Sequence, residues 1–361
     1  MSDPRHFGTG KEKPITIMEV CGTHTMAIAR GGIRQLLPEN VRLLSGPGCP
    51  VCVTPPEMID VMLELAGGKM TGLPIIAVYG DMLRVPGTVS TDSLFARRAE
   101  GADIRIVYSP MDALKLAEEN TDREVVFIGI GFETTAPGTA AAIKAAAQKN
   151  TANFSVFSML KRLEPSVLAL AASQDLHVDA FLCPGHVAVI IGEDGMKFFE
   201  EKLHVPAVIS GFETRDILKS LSMILRQLKR GEAFLENEYS QAVRPEGNGL
   251  AIEMINEVFE YRTDLWRGLG IIPESGLGIR NAYADFDAEK KFSLNTGRII
   301  EDYELRGSKE SGGCRCGDVI CGRIMPVECP MFGTACLPET PKGPCMVSSE
   351  GSCAAAFRYG S

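Results

Sequence analysis

The sequence predicts an α/β protein built from two similar parallel-sheet α/β domains and an irregular, cysteine-rich third domain. Three observations carry this expectation. Short apolar runs alternate with helical patterns over the first two thirds of the chain, as buried strands joined by crossover helices do. The alternation occurs as two sets, and Gly131-Phe132-Glu133-Thr134-Thr135 is echoed by Gly211-Phe212-Glu213-Thr214-Arg215, each between an apolar run and a helical pattern. Seven of the eleven cysteines then fall between Cys314 and Cys353, in a stretch rich in glycine and proline.

In chain order, Ile15 to Val20, Val41 to Leu44, Pro74 to Tyr79 and Ile104 to Tyr108 read as the strands of a first domain, residues 14–120. Val125 to Ile130, Phe154 to Phe157, Ala180 to Cys183 and Ala207 to Ser210 read as those of a second, residues 121–245. Helical patterns at Thr139 to Lys149, Pro165 to Ala172 and Thr214 to Lys229 separate the strands of this second set. Residues 246–361 form the third, helical and cysteine-rich domain. A chain of 361 residues accommodates two or three domains.

Ligands of open parallel sheets sit where strand-to-helix turns converge, and the unusual motifs lie at such turns. Cys21-Gly22-Thr23-His24-Thr25 follows the first strand and opens a helix. A thiol there faces helix N–H groups that favour thiolate, as nucleophile or ligand, and His24 can add a second ligand or an acid/base group. A buried cysteine with a capping threonine and a hydrogen-bonded histidine is the structural alternative. Cys49-Pro50-Val51-Cys52 follows the second strand. Thr54 and Glu57 have capping-box spacing, which places Cys52 just before a helix and favours a redox dithiol over half of a metal site. Asp81, Glu133 and His186 end other strands; Asp81 and Glu133 can share a cleft or serve as caps, and His186 fits a structural role best.

The tail spacing C-x-C-x4-C-x7-C-x6-C-x8-C-x7-C matches neither zinc knuckles nor bacterial ferredoxins. A C-x-C pair beside surplus thiols favours an iron–sulfur cluster over structural zinc or inert thiols. The net charge of −9 argues against nucleic acid, and no apolar run reaches membrane-span length. A polar N-terminus and eleven cysteines point to a reducing, cytoplasmic setting. Neither a G-x-x-x-x-G-K-[ST] nor a G-x-G-x-x-G signature is present at the turns, so nucleotide binding is not supported.

Taken together, Cys21-Gly-Thr-His-Thr, Gly46-Pro-Gly-Cys49-Pro-Val-Cys52, Gly131-Phe-Glu-Thr-Thr, Pro184-Gly-His186-Val and the Cys314-Arg-Cys316-Gly region resemble the HypD family of hydrogenase maturation factors. The resemblance implies an iron-carrying scaffold on which the Fe(CN)2CO group of [NiFe] hydrogenase is assembled, with a HypC-type chaperone and a HypE-type cyanide donor. The hydrogenase large subunit would be served indirectly. It implies Fe(II) in transit, carrying CN and CO, held by Cys21 and His24, with Cys49 and Cys52 as a redox dithiol. It also implies a [4Fe-4S] cluster. The family is similar in this region to ferredoxin:thioredoxin reductase, and that analogy assigns Cys314, Cys321, Cys329 and Cys336 to the cluster and Cys316 with Cys345 to a relay pair. Cys353 is left over, and either it or Cys345 can replace one ligand. The competing readings are a stand-alone iron–sulfur and dithiol oxidoreductase acting on a small substrate, and a zinc-stapled binding module.

Overall fold

The computed structural model describes residues 14–67, 72–173, 175–307 and 313–360. Strands β1 (Ile15–Glu19), β2 (Val41–Ser45), β3 (Ile75–Val78), β4 (Ile104–Ile106), β5 (Val125–Gly131), β6 (Phe154–Leu160), β7 (Ala180–Pro184), β8 (Ala207–Ser210), β9 (Leu235–Asn237), β10 (Phe259–Trp266) and β11 (Gly270–Ile279) form three sheets. The first is wholly parallel in the order β2-β1-β7-β8-β9, with Ile17 paired to both Leu43 and Ala180. The second is parallel in the order β4-β3-β5-β6. Every residue of β5 and β6 is buried, as expected of strands covered on both faces.

The fold class agrees with the sequence, but the sheets divide the chain differently from the expected 14–120 and 121–245 units. β1 and β2 are completed by β7, β8 and β9, whereas β3 and β4 pair with β5 and β6, so each sheet draws strands from both sides of residue 120. Alternation of strand and helix is identical for either arrangement, and only pairing distinguishes them. Both sheets nonetheless place their first strand inside, their second at the edge and their third on the far side. In that scheme the Gly131 turn follows a third strand and the Gly211 turn a fourth, so the echoed motifs occupy different places.

The third sheet is an antiparallel hairpin of β10 and β11 inside the region expected to be helical. It docks on the end of β6, where the Arg162 amide donates to Ser275 O at 2.8 Å. Its strand signal is masked by polar residues that the fold satisfies internally. Arg262 donates to Ser158 O at 2.7 Å and pairs with Glu289, and Asp264 accepts from the buried Lys161 Nζ at 2.8 Å.

Helix α1 (Gly22–Arg30) follows β1, and α2 (Pro50–Val53) and α3 (Pro56–Gly67) follow β2. Thr54 is the C-cap of α2 and does not immediately precede α3. Thr54 Oγ1 donates back to Pro50 O at 2.9 Å, closing the separate α2, and α3 starts beyond Pro55. In the C-terminal region the helix Ser352–Tyr359 packs on α1, while Cys316–Ile320 and Pro344–Val347 both pack on α2. Among the described residues no helix is long and apolar enough to cross a membrane.

Candidate functional site

The order in which the chain adds strands to the first sheet reverses between β1 and β7, the place where open α/β sheets bind ligands. Cys21 caps α1 there from an extended backbone, φ −150°. His24 is fully buried in the first turn of that helix, and its Nε2 lies 3.0 Å from Gly211 O. A carbonyl accepts only from N–H, so the proton sits on Nε2 and Nδ1 keeps a lone pair, buried and without a hydrogen-bond partner. Phe212 stacks on His24 at 4.7 Å and on His186 at 3.9 Å, so the β7, β8 and β1 turns meet through three rings. Burial lowers the His24 pKa to about 4, keeping the imidazole neutral and fit for a metal.

Cys21 departs from expectation in its environment. It is 8% exposed and lies in a covered turn. Burial, together with the Glu350 carboxylate, pushes its pKa up to about 11, outweighing the His24 and Thr23 amides that stabilise thiolate. The residue is a thiol at neutral pH.

Cys49 and Cys52 are joined in a disulfide and are also buried, at 5% and 0% exposure. Cys49 caps α2, its Sγ accepting from the Cys52 amide at 3.1 Å. The preceding Gly48 lies so close to the Cys21 backbone that a Cβ there would overlap it, and Gly48 O accepts from the Gly22 amide at 3.2 Å. The disulfide turn and the Cys21 turn are therefore one packed unit.

On its other side α2 rests against the helices carrying Cys316 and Cys345, whose Sγ atoms lie 2.7 Å apart. Burial opposes ionisation of Cys316, but hydrogen bonds from the Cys314 and Cys345 thiols and the nearby Arg267 charge hold it well below the usual thiol range. Hydrogen bonding to Cys316 and Cys353, with burial, pushes Cys345 well above it. Arg267, at the β10–β11 turn, also bonds the end of α2, its amide to Val53 O at 2.8 Å and its Nε to Thr54 O at 3.1 Å.

The pair lines a cavity together with Cys314, Cys329, Cys336 and Cys353, with Val319, Met331, Phe332 and Met346 among its apolar walls. Of the four residues assigned to a cluster, Cys314, Cys329 and Cys336 line the cavity; Cys321, fully buried at the end of its helix, does not, and Cys353 does. Among the described residues no three His, Cys, Asp or Glu side chains stand close enough to hold one metal ion. A four-iron cluster asks for something else, because each thiolate binds a different iron and the sulfurs ring the group. Six cysteines line this cavity, four of them besides the Cys316–Cys345 pair, and four thiols around apolar walls fit that demand.

Asp81 and Glu133 do not share a cleft. Asp81 hydrogen-bonds the Ser348 side chain, beside Glu350, and burial raises its pKa. Glu133 Oε1 accepts from the Leu163 amide at 2.9 Å, and the residue lines a separate cavity with Arg162 and Tyr261. Phe212, Arg267 and Glu350 belong to the site and escaped the sequence reading. Only the echo around Phe212 offered a signal, since a lone arginine or glutamate carries none.

A family model described as HypD, Hydrogenase formation hypA family, matches residues 6–360. The chain is 46% identical to a protein of Rhodobacter capsulatus named hydrogenase maturation factor HypD, over 98% of this chain and 92% of that one. It is 44% identical to the protein of the same name from Escherichia coli, over 98% of this chain and 91% of the relative. A putative hydrogenase expression/formation protein of Methanocaldococcus jannaschii is 42% identical over 96% of this chain and 92% of its own length. With a family model spanning nearly all of its length and relatives this similar, the chain belongs to the HypD family.

Proposed function

We propose that the chain is a hydrogenase maturation factor that carries iron at the Cys21 turn while cyanide and CO are mounted on it. The observation that carries the proposal is the contiguity of the thiol groups: the Cys21 turn packs on Gly48, and the disulfide helix packs on both helices of the Cys316–Cys345 pair. Iron bearing cyanide and CO is a soft substrate, suited to the Cys21 thiolate, to His24 Nδ1 and to one thiolate from a HypC-type chaperone. The cyanide groups arrive from a HypE-type partner. When reduced, Cys49 and Cys52 give up two electrons and two protons as their sulfurs bond, and the Cys316–Cys345 pair is placed to restore the dithiol by exchange.

We assign Cys314, Cys329, Cys336 and Cys353 as the holders of a [4Fe-4S] group, with Cys353 in place of Cys321. Such a group, when bound, supplies single electrons beside the Cys316–Cys345 pair. The apolar wall of Val319, Met331, Phe332 and Met346 limits water at the thiols and shields them from oxidation.

Infrared spectra of the purified complex with the chaperone test the iron site, because bound cyanide and CO absorb in a window clear of protein bands. Cys21→Ala is expected to abolish those bands while the complex still forms; bands at wild-type intensity would sink the assignment. Cys49→Ala with Cys52→Ala is expected to leave the visible absorption of the anaerobically purified protein intact and to stop hydrogenase maturation. Turnover of a small substrate by the isolated protein would instead favour a stand-alone oxidoreductase.

A further inference from the structure

Glu350 sits on the turn between the helix Pro344–Val347, which carries Cys345, and the helix Ser352–Tyr359, which carries Cys353. Its Oε1 accepts from Thr23 Oγ1 at 2.9 Å, across 327 residues of sequence, and its side chain covers Gly22 so closely that a Cβ on that glycine would overlap it. Thr23 and Gly22 are the two residues after Cys21. The turn itself is wired to both thiol helices: Ser348 N donates to Pro344 O at 2.9 Å, Gly351 N to Ser348 O at 3.0 Å and Ala355 N to Gly351 O at 2.9 Å. Ser348 Oγ accepts from the Glu350 amide at 3.2 Å, and Gly351 presses on the Cys345 carbonyl. From the second sheet, Asp81 hydrogen-bonds Ser348. One short turn thus touches the Cys21 turn, the Asp81 turn and the two helices that carry Cys345 of the relay pair and Cys353 of the cage.

We infer that Glu350 is a positioning residue that ties the Cys21 turn to the thiol cage, so that the state of the cage governs whether Cys21 can be reached. The inference rests on the proposed cage but not on iron being held at Cys21. Pulling the two helices apart moves Ser348 and Gly351, which are bonded to them, and Glu350 moves with its neighbours. Thr23 then loses its acceptor and Gly22 its cover. A buried thiol reacts only through local opening, so losing a hydrogen bond that resists opening speeds its reaction about fivefold to tenfold.

The test is the rate of iodoacetamide alkylation of Cys21, read by mass spectrometry of its peptide, on full-length protein purified anaerobically, before and after iron is stripped by a chelator. In the wild type, stripping is expected to raise the rate about fivefold to tenfold. Glu350→Ala is expected to reach the fast rate with its visible absorption still present, and stripping then adds little. Glu350→Gln keeps an oxygen acceptor for Thr23 but removes the charge that raises the Cys21 pKa, so it should still respond to stripping and stay slower than Glu350→Ala, while Thr23→Val, which removes the donor and keeps the Glu350 charge, should react faster than wild type before stripping. Wild-type rates in Glu350→Ala and Thr23→Val, or no change on stripping the wild type, would overturn the inference. The two variants are read without removing iron, so their result is independent of whether the cage holds a cluster. Infrared bands that persist in Cys21→Ala would refute the iron site and leave this coupling standing.

Discussion

The turns Gly131–Thr135 and Gly211–Arg215 begin with the same four residues, follow parallel strands of similarly ordered sheets, and do different work. In the first, Phe132 is buried and stacks on Trp266 at 6.0 Å, and Glu133 is buried with Oε1 on the Leu163 amide. Beside it Lys161 and Asp264 form a buried ion pair, with Lys161 Nζ 5.0 Å over the Trp266 ring. The β10–β11 hairpin closes this end of the second sheet. In the second turn, Phe212 is only partly buried and separates two histidines, Gly211 O orients His24, and Glu213 is exposed in a capping box with Asp216. The difference shows that the cover decides the role: a hairpin laid over one turn makes it scaffold, and an imidazole pair against the other makes it part of a site.

The strongest way to break this contrast is at the scaffold turn. Lys161→Met leaves the Asp264 carboxylate buried and unpaired, and the expected loss of stability is about 3–5 kcal/mol in urea unfolding. The pair Lys161→Met with Asp264→Leu should recover much of it, since two apolar side chains leave no stranded charge. A loss below about 1 kcal/mol in the single variant would mean that the hairpin is not what closes that end.

Phe212→Ala cuts the site turn. The expected loss is about 2 kcal/mol, less than for a fully enclosed ring, because one side of Phe212 reaches solvent. Its distinguishing effect is local: nuclear magnetic resonance of the His24 and His186 rings should shift strongly in this variant and stay unchanged in Lys161→Met. Unshifted histidine resonances in Phe212→Ala would remove the ring stack from the site.

The two glutamates sharpen the comparison through pH. Burial raises the Glu133 pKa above its ordinary 4.5, partly offset by the Leu163 amide, so the folded state holds its proton more tightly than the unfolded one. The stability this confers is fully present below the unfolded value and is lost as pH rises through the folded one. Glu133→Gln keeps the acceptor for Leu163 and no longer titrates. The variant should therefore gain on the wild type as pH rises from just below that ordinary value to neutrality, read by urea unfolding at a series of pH values. A pH-independent difference would refute the shifted carboxyl. Glu213→Ala, at the exposed turn, should cost only about 0.5–1 kcal/mol, the value of a helix cap.

Much of the fold was legible in the chain because it rests on local rules. Apolar strand runs such as Val125 to Ile130 and helix starts such as Thr214 depend on neighbours a few residues away, and the strand-to-helix turns placed Cys21, His24, Cys49 and Cys52 at strand ends before any pairing was known. The β10–β11 hairpin was not legible, since Arg262 and Asp264 look like surface residues until Glu289 and Lys161 arrive to pair with them.

By itself, the sequence determined the parallel α/β class, the positions of the turns that carry thiols, and the family, all of which depend on residue identity and short spacing. Only the tertiary structure decided that β1 pairs with β7, past the four strands of the second sheet in sequence, so that β1 and β2 share a sheet with β7, β8 and β9, because alternating strands and helices carry no record of which strands meet. It also placed Cys353, and not Cys321, at the cavity, and brought Glu350 to Thr23 across most of the chain. The physical reason is common to these cases. A ligand ring, a buried charge pair and a cover over a thiol are made by residues distant in sequence, and their chemistry is set by burial, which exists only once the chain has closed on itself.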